Sequence, residues 1–342
     1  PTADVTVTAL KLLKPDSGWD GVDTVPLMQT VGNVTYAYVL YDGHADGCTL
    51  AKINCSANTP YVVWHKQLES KSGFQLSTPL LVQGSNDNSE ADDVIYAASN
   101  SGAVYKITGL QASDTDATGV EATKIYSVSK GQIYTPIVSY GDYIYFGTWV
   151  GNGTIEGSTE PGRYYQVSCK RSDTSNDSYP VQSVSSIYKG FYWGGAVAVG
   201  EKVYFCGDGG YLYYRPMGDG FGTTADTDIY ATSISLPSVD GNAAGDVRST
   251  IMTKDGKLYF ASKGSSIGNV YCYTIGSNGV PAFSWGAKLS CTIGNDTYSG
   301  NCTSTPVIAD SGNIYVGFYS GFSAGGLMKI TAPTSGTIAQ QE

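Results

Sequence analysis

The side chains best suited to recognition are a few aromatics and one cation: Phe74, Tyr134, Trp149, Tyr192, Trp193 and Arg248. Five of them lie in short Gly-bearing segments: Gly73-Phe-Gln-Leu-Ser77, Gly131-Gln-Ile-Tyr134, Gly190-Phe-Tyr-Trp-Gly194 and Gly245-Asp-Val-Arg-Ser249. Flat aromatic faces beside a guanidinium suit stacking on sugar rings or holding an anionic group. The competing reading is packing, in which Phe74, Phe191 and Trp193 fill space between neighbouring sheets and meet no ligand. Basic residues are scarce, 20 Lys+Arg against 30 Asp+Glu, so Arg248 draws notice. Pairing with Asp246 or Asp23 is its alternative to ligand binding.

Three carboxylates, Asp23, Asp208 and Asp246, fall in the same kind of segment. A carboxylate pair about 5 to 9.5 Å apart is what a glycoside-cleaving enzyme needs. The alternative catalytic reading is therefore a carbohydrate-active hydrolase or lyase using Asp208 with Asp246 or Asp23. No phosphate-binding Gly-rich loop or His-Glu-x-x-His helix accompanies them. With no Cys-x-x-Cys and only His44 and His65, zinc chemistry has almost no ligands to use. Asp114-x-Asp116 and Asn86-Asp87-Asn88 place oxygens at alternate positions and could contribute to Ca²⁺ sites, but neither completes the EF-hand pattern. Otherwise no cofactor is expected. The odd count of 7 Cys leaves at least one unpaired within the chain. Cys291 and Cys302 bracket a Gly/Asn/Asp loop and are the disulfide candidates. Cys206 and Cys272 read as small buried apolar residues.

The elements that carry these residues repeat. Five segments share one pattern around Tyr96, Tyr145, Tyr204, Tyr259 and Tyr315, with a weaker sixth at Tyr36; the mean spacing is about 56 residues. Before each stands a short strand opening in Pro or small residues, as in Thr78-Pro79-Leu-Leu, Thr135-Pro136-Ile-Val and Thr305-Pro306-Val-Ile. After each come a third alternating strand and, in five units, a fourth, around Val62-Val-Trp64, Lys124-Ile-Tyr126, Ser186-Ile-Tyr188, Asp228-Ile-Tyr230 and Phe283-Ser-Trp285. Period-2 alternation with turns at this spacing is the strand signal. Six such units predict an all-β chain: a six-bladed β-propeller of four-stranded antiparallel blades. The blades run approximately 20–72, 73–130, 131–189, 190–244, 245–298 and 299–331. The last lacks a fourth strand, and the N-terminal strand at residues 4–13 is expected to supply it and close the ring. One domain over 1–333 results, with 334–342 as a linker or tail. An acidic insertion, Gly84 to Asp93, lengthens one turn of the second unit.

The order Thr-Pro-Val…Gly-x-Ile-Tyr-Val-Gly…Gly-x-Leu-Tyr-x-Ile…Trp over residues 20–331 resembles the quinoprotein-type (PQQ-like) β-propeller repeat family. The resemblance implies architecture more than activity, because the family holds PQQ-dependent dehydrogenases, assembly lipoproteins and many surface propellers without chemistry. A PQQ enzyme of this kind implies an adjacent Cys pair, a Trp floor and an Asp base. The Cys pair is absent, and only Trp193 and Asp208 could be nominated. PQQ is therefore rejected and the non-catalytic branch preferred.

Composition completes the expectation. A net charge of -10 repels nucleic acid, and no apolar run is long enough to span a membrane as a helix. Few Lys with abundant Ser, Thr, Asn and Tyr look like an exported protein. The opening Pro1-Thr2-Ala3-Asp4 is no charged-plus-apolar leader, so on this reading any secretion signal has been removed or lies outside this sequence. The expected product is a monomeric extracellular or cell-surface module. Its partner is a glycan, a peptide or an adjacent domain, held where six loops converge at a channel mouth. A purely structural spacer is the remaining alternative.

Overall fold

The computed structural model describes residues 10, 12, 22–43, 47–70, 75–86, 88–115, 117–150, 161–170, 179–188, 190–224, 229–321, 324–333 and 340–341. Among them the chain is all-β, with one 3-10 turn at Gly218–Gly220 and no α-helix. Six four- or five-stranded antiparallel sheets follow one another in chain order, with a two-stranded hairpin between the fifth and sixth. The chain divides into two compact units, Pro1–Ile137 with Asp173–Tyr179, and Val138–Ser172 with Pro180–Glu342.

The first unit holds two sheets. The first comprises Leu27–Val31, Val34–Gly43, Gly47–Asn54 and Tyr61–Gln67; the second comprises Leu80–Val82, Val94–Ala98, Ala103–Thr108 and Glu121–Ser127. Tyr38, Leu40, Leu50 and Trp64 of the first pack on Ile95, Ala97, Tyr105 and Ile107 of the second. In the first sheet the tyrosine that matches Tyr96 is Tyr38, not Tyr36. Tyr38 stands opposite Leu27 as Tyr96 stands opposite Leu80, and both tyrosines are buried. Tyr36 is only partly buried, beneath the Lys52 ammonium at 4.0 Å from its ring.

The acidic insertion closes over this core. Glu90 accepts from Lys52 Nζ at 2.5 Å and from the Tyr38 hydroxyl, and Lys52 also donates to the Leu110 carbonyl at 2.9 Å. Asp93 accepts from the Gln29 amide and from the Gly84 N–H. Lys52 and Glu90 are both buried, so each charge depends on the other to offset its lost hydration.

The second unit carries the other four sheets. The third has Val138–Tyr140, Tyr143–Trp149, Arg163–Ser168 and Val181–Ser185; the fourth has Val197–Val199, Lys202–Gly207, Tyr211–Pro216 and Thr232–Ser235. In the fifth, Asp246–Val247 and Met252–Lys254 share the inner edge of Lys257–Lys263, followed by Asn269–Ile275 and Pro281–Lys288. The sixth has Val307–Ile308, Ile314–Ser320, Ala324–Thr331 and Gln340–Gln341.

In the third, fourth and fifth sheets the second strand is buried on both faces, whereas in the sixth only the face of Ile314 and Val316 is buried. Val203 and Phe205 point into a core shared with Tyr145 and Tyr164 of the third sheet, while Tyr204 and Cys206 enter the core shared with Leu258, Phe260 and Tyr271 of the fifth. Tyr259 and Ala261 in turn meet Ile314, Val316 and Met328 of the sixth. This is why the second strands carry apolar residues at successive positions, where period-2 alternation was expected.

Three expectations are corrected. The fourth strand of the sixth sheet is Gln340–Gln341, paired with Ile330 and Thr331, where a tail was expected. Of the N-terminal segment expected there, residues 4–9, 11 and 13 lie outside the described residues; Leu10 and Leu12 are outside any strand and pack on Ala37, Val39, Tyr41, Ala51 and Ile53 of the first sheet. The fourth strands of the third and fourth sheets are Val181–Ser185 and Thr232–Ser235 rather than the Ile-Tyr dipeptides nearby. Ile187, Tyr188, Ile229 and Tyr230 are exposed; outer strands are half-solvated, so hydrophobic pattern marks them poorly.

Candidate functional site

The second unit gathers Trp149, Tyr192, Trp193, Asp208, Asp246 and Arg248 into one contact network. Trp149 ends the strand Tyr143–Trp149. Tyr192 and Trp193 lie on the segment leading into the fourth sheet, Asp208 follows the strand Lys202–Gly207, and Asp246–Val247 delivers Arg248. Close backbone approach makes this possible. A Cβ on Gly207 would meet the Gly190 carbonyl at 2.8 Å, and one on Gly245 would meet the Lys263 carbonyl at 1.8 Å. With no side chain at 207, the Asp208 N–H reaches the Gly190 carbonyl at 2.8 Å.

Asp208 is the hub. Its Oδ1 accepts from Arg248 Nε at 3.1 Å; its Oδ2 accepts from Arg248 Nη2 at 3.0 Å and from Trp149 Nε1 at 2.8 Å. It is 3% exposed, against 17% for Arg248 and 32% for Asp246. Arg248 Nη2 also reaches Asp246 Oδ2 at 3.5 Å, while Asp246 Oδ1 accepts from the Gly209 N–H at 2.9 Å. Burial raises the Asp208 carboxyl above the ordinary Asp value, opposed by the bonds and charge of Arg248. Burial alone would lower the guanidinium; its bonds to Asp208 together with the charges of Asp208 and Asp246 outweigh this and raise it. Burial also raises the Tyr319 hydroxyl, against the nearby positive charge of Arg248.

The aromatics form a corner around this ion pair. The Arg248 guanidinium lies 4.3 Å from the Tyr192 ring centroid. Tyr192 meets Trp149 edge-on at 5.1 Å and Trp193 edge-on at 4.8 Å. Trp193 is the exposed member, at 37%. Its backbone sits at φ +60°, in the middle of a three-residue turn closed by the Gly194 N–H on the Tyr192 carbonyl at 2.8 Å. That conformation is unfavourable for a bulky L-residue.

The other proposed site residues lie elsewhere. Tyr134 belongs to the first unit, is buried, and its hydroxyl donates to Gln132. Asp23 is also in the first unit and is exposed. Phe74, His44, Asp87 and Asp116 fall outside the described residues. Asp114 Oδ1 accepts from the Thr118 N–H and Asn86 Oδ1 from the Asn88 N–H, so both make local turn bonds. Phe191, the packing candidate, is fully buried between Tyr164, Phe205 and Tyr213. Arg248 takes Asp208 as its main partner and the expected Asp246 as its second, while Asp23 belongs to the other unit. Cys291 and Cys302 are both free thiols. Cys302 is buried with Sγ toward the Ser304 carbonyl at 3.4 Å, and burial pushes its thiol up to about 11.

The pair nominated for a quinone does not fit that group. Both Asp208 oxygens already accept internal hydrogen bonds, and Trp193 stands exposed on a turn rather than flooring an enclosed site. No protein-family model matches the chain, and no curated protein matches it.

Proposed function

We propose that the chain is a six-bladed β-propeller of the quinoprotein-like type. It acts as an exported or cell-surface, non-catalytic binding module whose ligand sits on the loop face built around Trp193. Six successive antiparallel meanders, each with a buried Tyr on its second strand apart from the partly buried Tyr315, support the architecture. The single observation that carries the binding reading is Trp193. A large apolar ring is held partly in solvent on an unfavourable backbone, beside a fully assembled polar network. Strain of this kind gathers at functional sites.

The hydrolase or lyase alternative fares worse. A general acid or nucleophile must present an oxygen to substrate, whereas Asp208 is buried and committed to Arg248 and Trp149. A glycan and peptide array, probed with wild type and Trp193→Gly, tests the binding reading. Captured ligands should be lost from the variant, and undiminished capture would show that the site lies elsewhere. Turnover of any polysaccharide, abolished by Asp208→Asn, would restore the enzymatic reading.

A further inference from the structure

Resting on that binding reading, we infer that the ligand is an uncharged saccharide stacked on Trp193, and that Arg248 is not an anion receptor. The sequence left open a sugar or an anion. The geometry separates them, because Arg248 is used internally. Its Nε and Nη2 are committed to Asp208, Nη2 leans toward Asp246, and its plane lies over Tyr192. Lys263, opposite Asp246 in the sheet register, balances the second carboxylate, so the local charge is neutral. An incoming carboxylate or sulfate would have to displace Asp208, which is 3% exposed.

The aromatic faces, rather than the charges, argue against a cationic ligand. Ammonium groups are held by aromatic faces that surround them. Here the face of Tyr192 already carries Arg248, and the Trp149 indole N–H is bound to Asp208. The chain's own cation fills the aromatic corner.

Two groups face outward: the Trp193 ring at 37% exposure and the Asp246 carboxylate at 32%. They are placed near one another because Gly194, next to Trp193, abuts the backbone that follows Asp246. A Cβ on Gly194 would lie 3.1 Å from the Ser249 carbonyl and 3.7 Å from that of Val247. A pyranose presents an apolar C–H face, which stacks on an indole, and hydroxyl donors at its rim, which a carboxylate accepts.

The test titrates wild type, Trp193→Gly, Trp193→Phe and Asp246→Asn by calorimetry. The probes are neutral gluco-, manno- and galacto-oligosaccharides, an oligouronate and a Lys-rich peptide. Glycine accepts φ +60°, so Trp193→Gly removes the ring without straining the turn, and its unfolding midpoint reports that it folds. A neutral oligosaccharide should bind wild type, bind Trp193→Gly about tenfold or more weakly, and recover most of that loss in Trp193→Phe. Asp246→Asn should weaken it less. Binding of the oligouronate or the peptide instead, lost in Trp193→Gly, overturns the neutral-sugar assignment and leaves the binding module standing. Neutral-sugar binding indifferent to Trp193→Gly also overturns it. If no probe of any class binds wild type, the neutral-sugar assignment falls, and the glycan and peptide array decides the binding reading separately.

Discussion

Replacing Arg248 by Leu isolates the energetics of the cluster. The change removes two charged hydrogen bonds to Asp208, at 3.1 and 3.0 Å, and the stacking on Tyr192. It leaves a carboxylate 3% exposed, with the Trp149 N–H as its remaining side-chain donor among those bonds. Breaking a buried pair by removing one partner costs about 3–5 kcal/mol. Arg248 is itself 17% exposed, so water can enter where it stood and the cost should fall near the low end, about 3 kcal/mol. At a urea m-value of roughly 3 kcal/mol/M, that lowers the unfolding midpoint by about 1 M.

The loss should depend on pH in a definite direction. Burial already raises the Asp208 carboxyl in the folded protein, with Arg248 opposing. A folded value above the unfolded one gives stability that is present at low pH and lost as pH rises through the folded value. Without Arg248 the folded value rises further, so the penalty should be larger at pH 8 than at pH 5. The double variant Arg248→Leu with Asp208→Leu removes both charges and should regain much of the loss. Urea titrations followed by tryptophan fluorescence measure all of this. A loss under about 1 kcal/mol at pH 8, unchanged at pH 5, would refute the reasoning. So would a double variant as unstable as the two single losses combined.

Other outcomes follow from the same physics. Trp193→Gly should be as stable as wild type or gain about 1 kcal/mol in urea unfolding, because left-handed backbone costs an L-residue roughly 1–2 kcal/mol; a clear loss would mean the ring is a packing element. Lys52→Met strands Glu90 in the first unit and should cost about 3–5 kcal/mol, with Lys52→Met/Glu90→Leu recovering most of it; equal losses in the two would argue against a mutually dependent pair. A thiol reagent should label exposed Cys55 rapidly in the native protein, while Cys48, Cys206, Cys272 and Cys302 wait for denaturant. Mass spectrometry of the native, unreduced chain should find Cys291 and Cys302 unlinked.

The recurring Tyr and the spacing of the units determined that this chain forms successive antiparallel sheets, and the apolar run around each Tyr placed the second strands. Strand phase also determined that Trp149, Tyr192, Asp208 and Arg248 lie at corresponding strand ends, which is why a loop cluster was legible before any coordinates. Burial of Cys206 and Cys272 was equally legible, since both sit among large apolar neighbours on central strands. Tertiary structure decided the rest. Arg248 bonds a carboxylate 40 residues away on the neighbouring sheet, and only the packing of those sheets selects Asp208 over Asp246. The left-handed turn at Trp193 leaves no trace in residue type, because indole disfavours it and the surrounding contacts impose it. Gln340–Gln341 completes the sixth sheet through backbone pairing with Ile330 and Thr331, which side-chain pattern does not encode. Local periodicity reports which face a residue shows; partners, strain and edge pairing depend on ångström-scale distances between segments far apart in the chain.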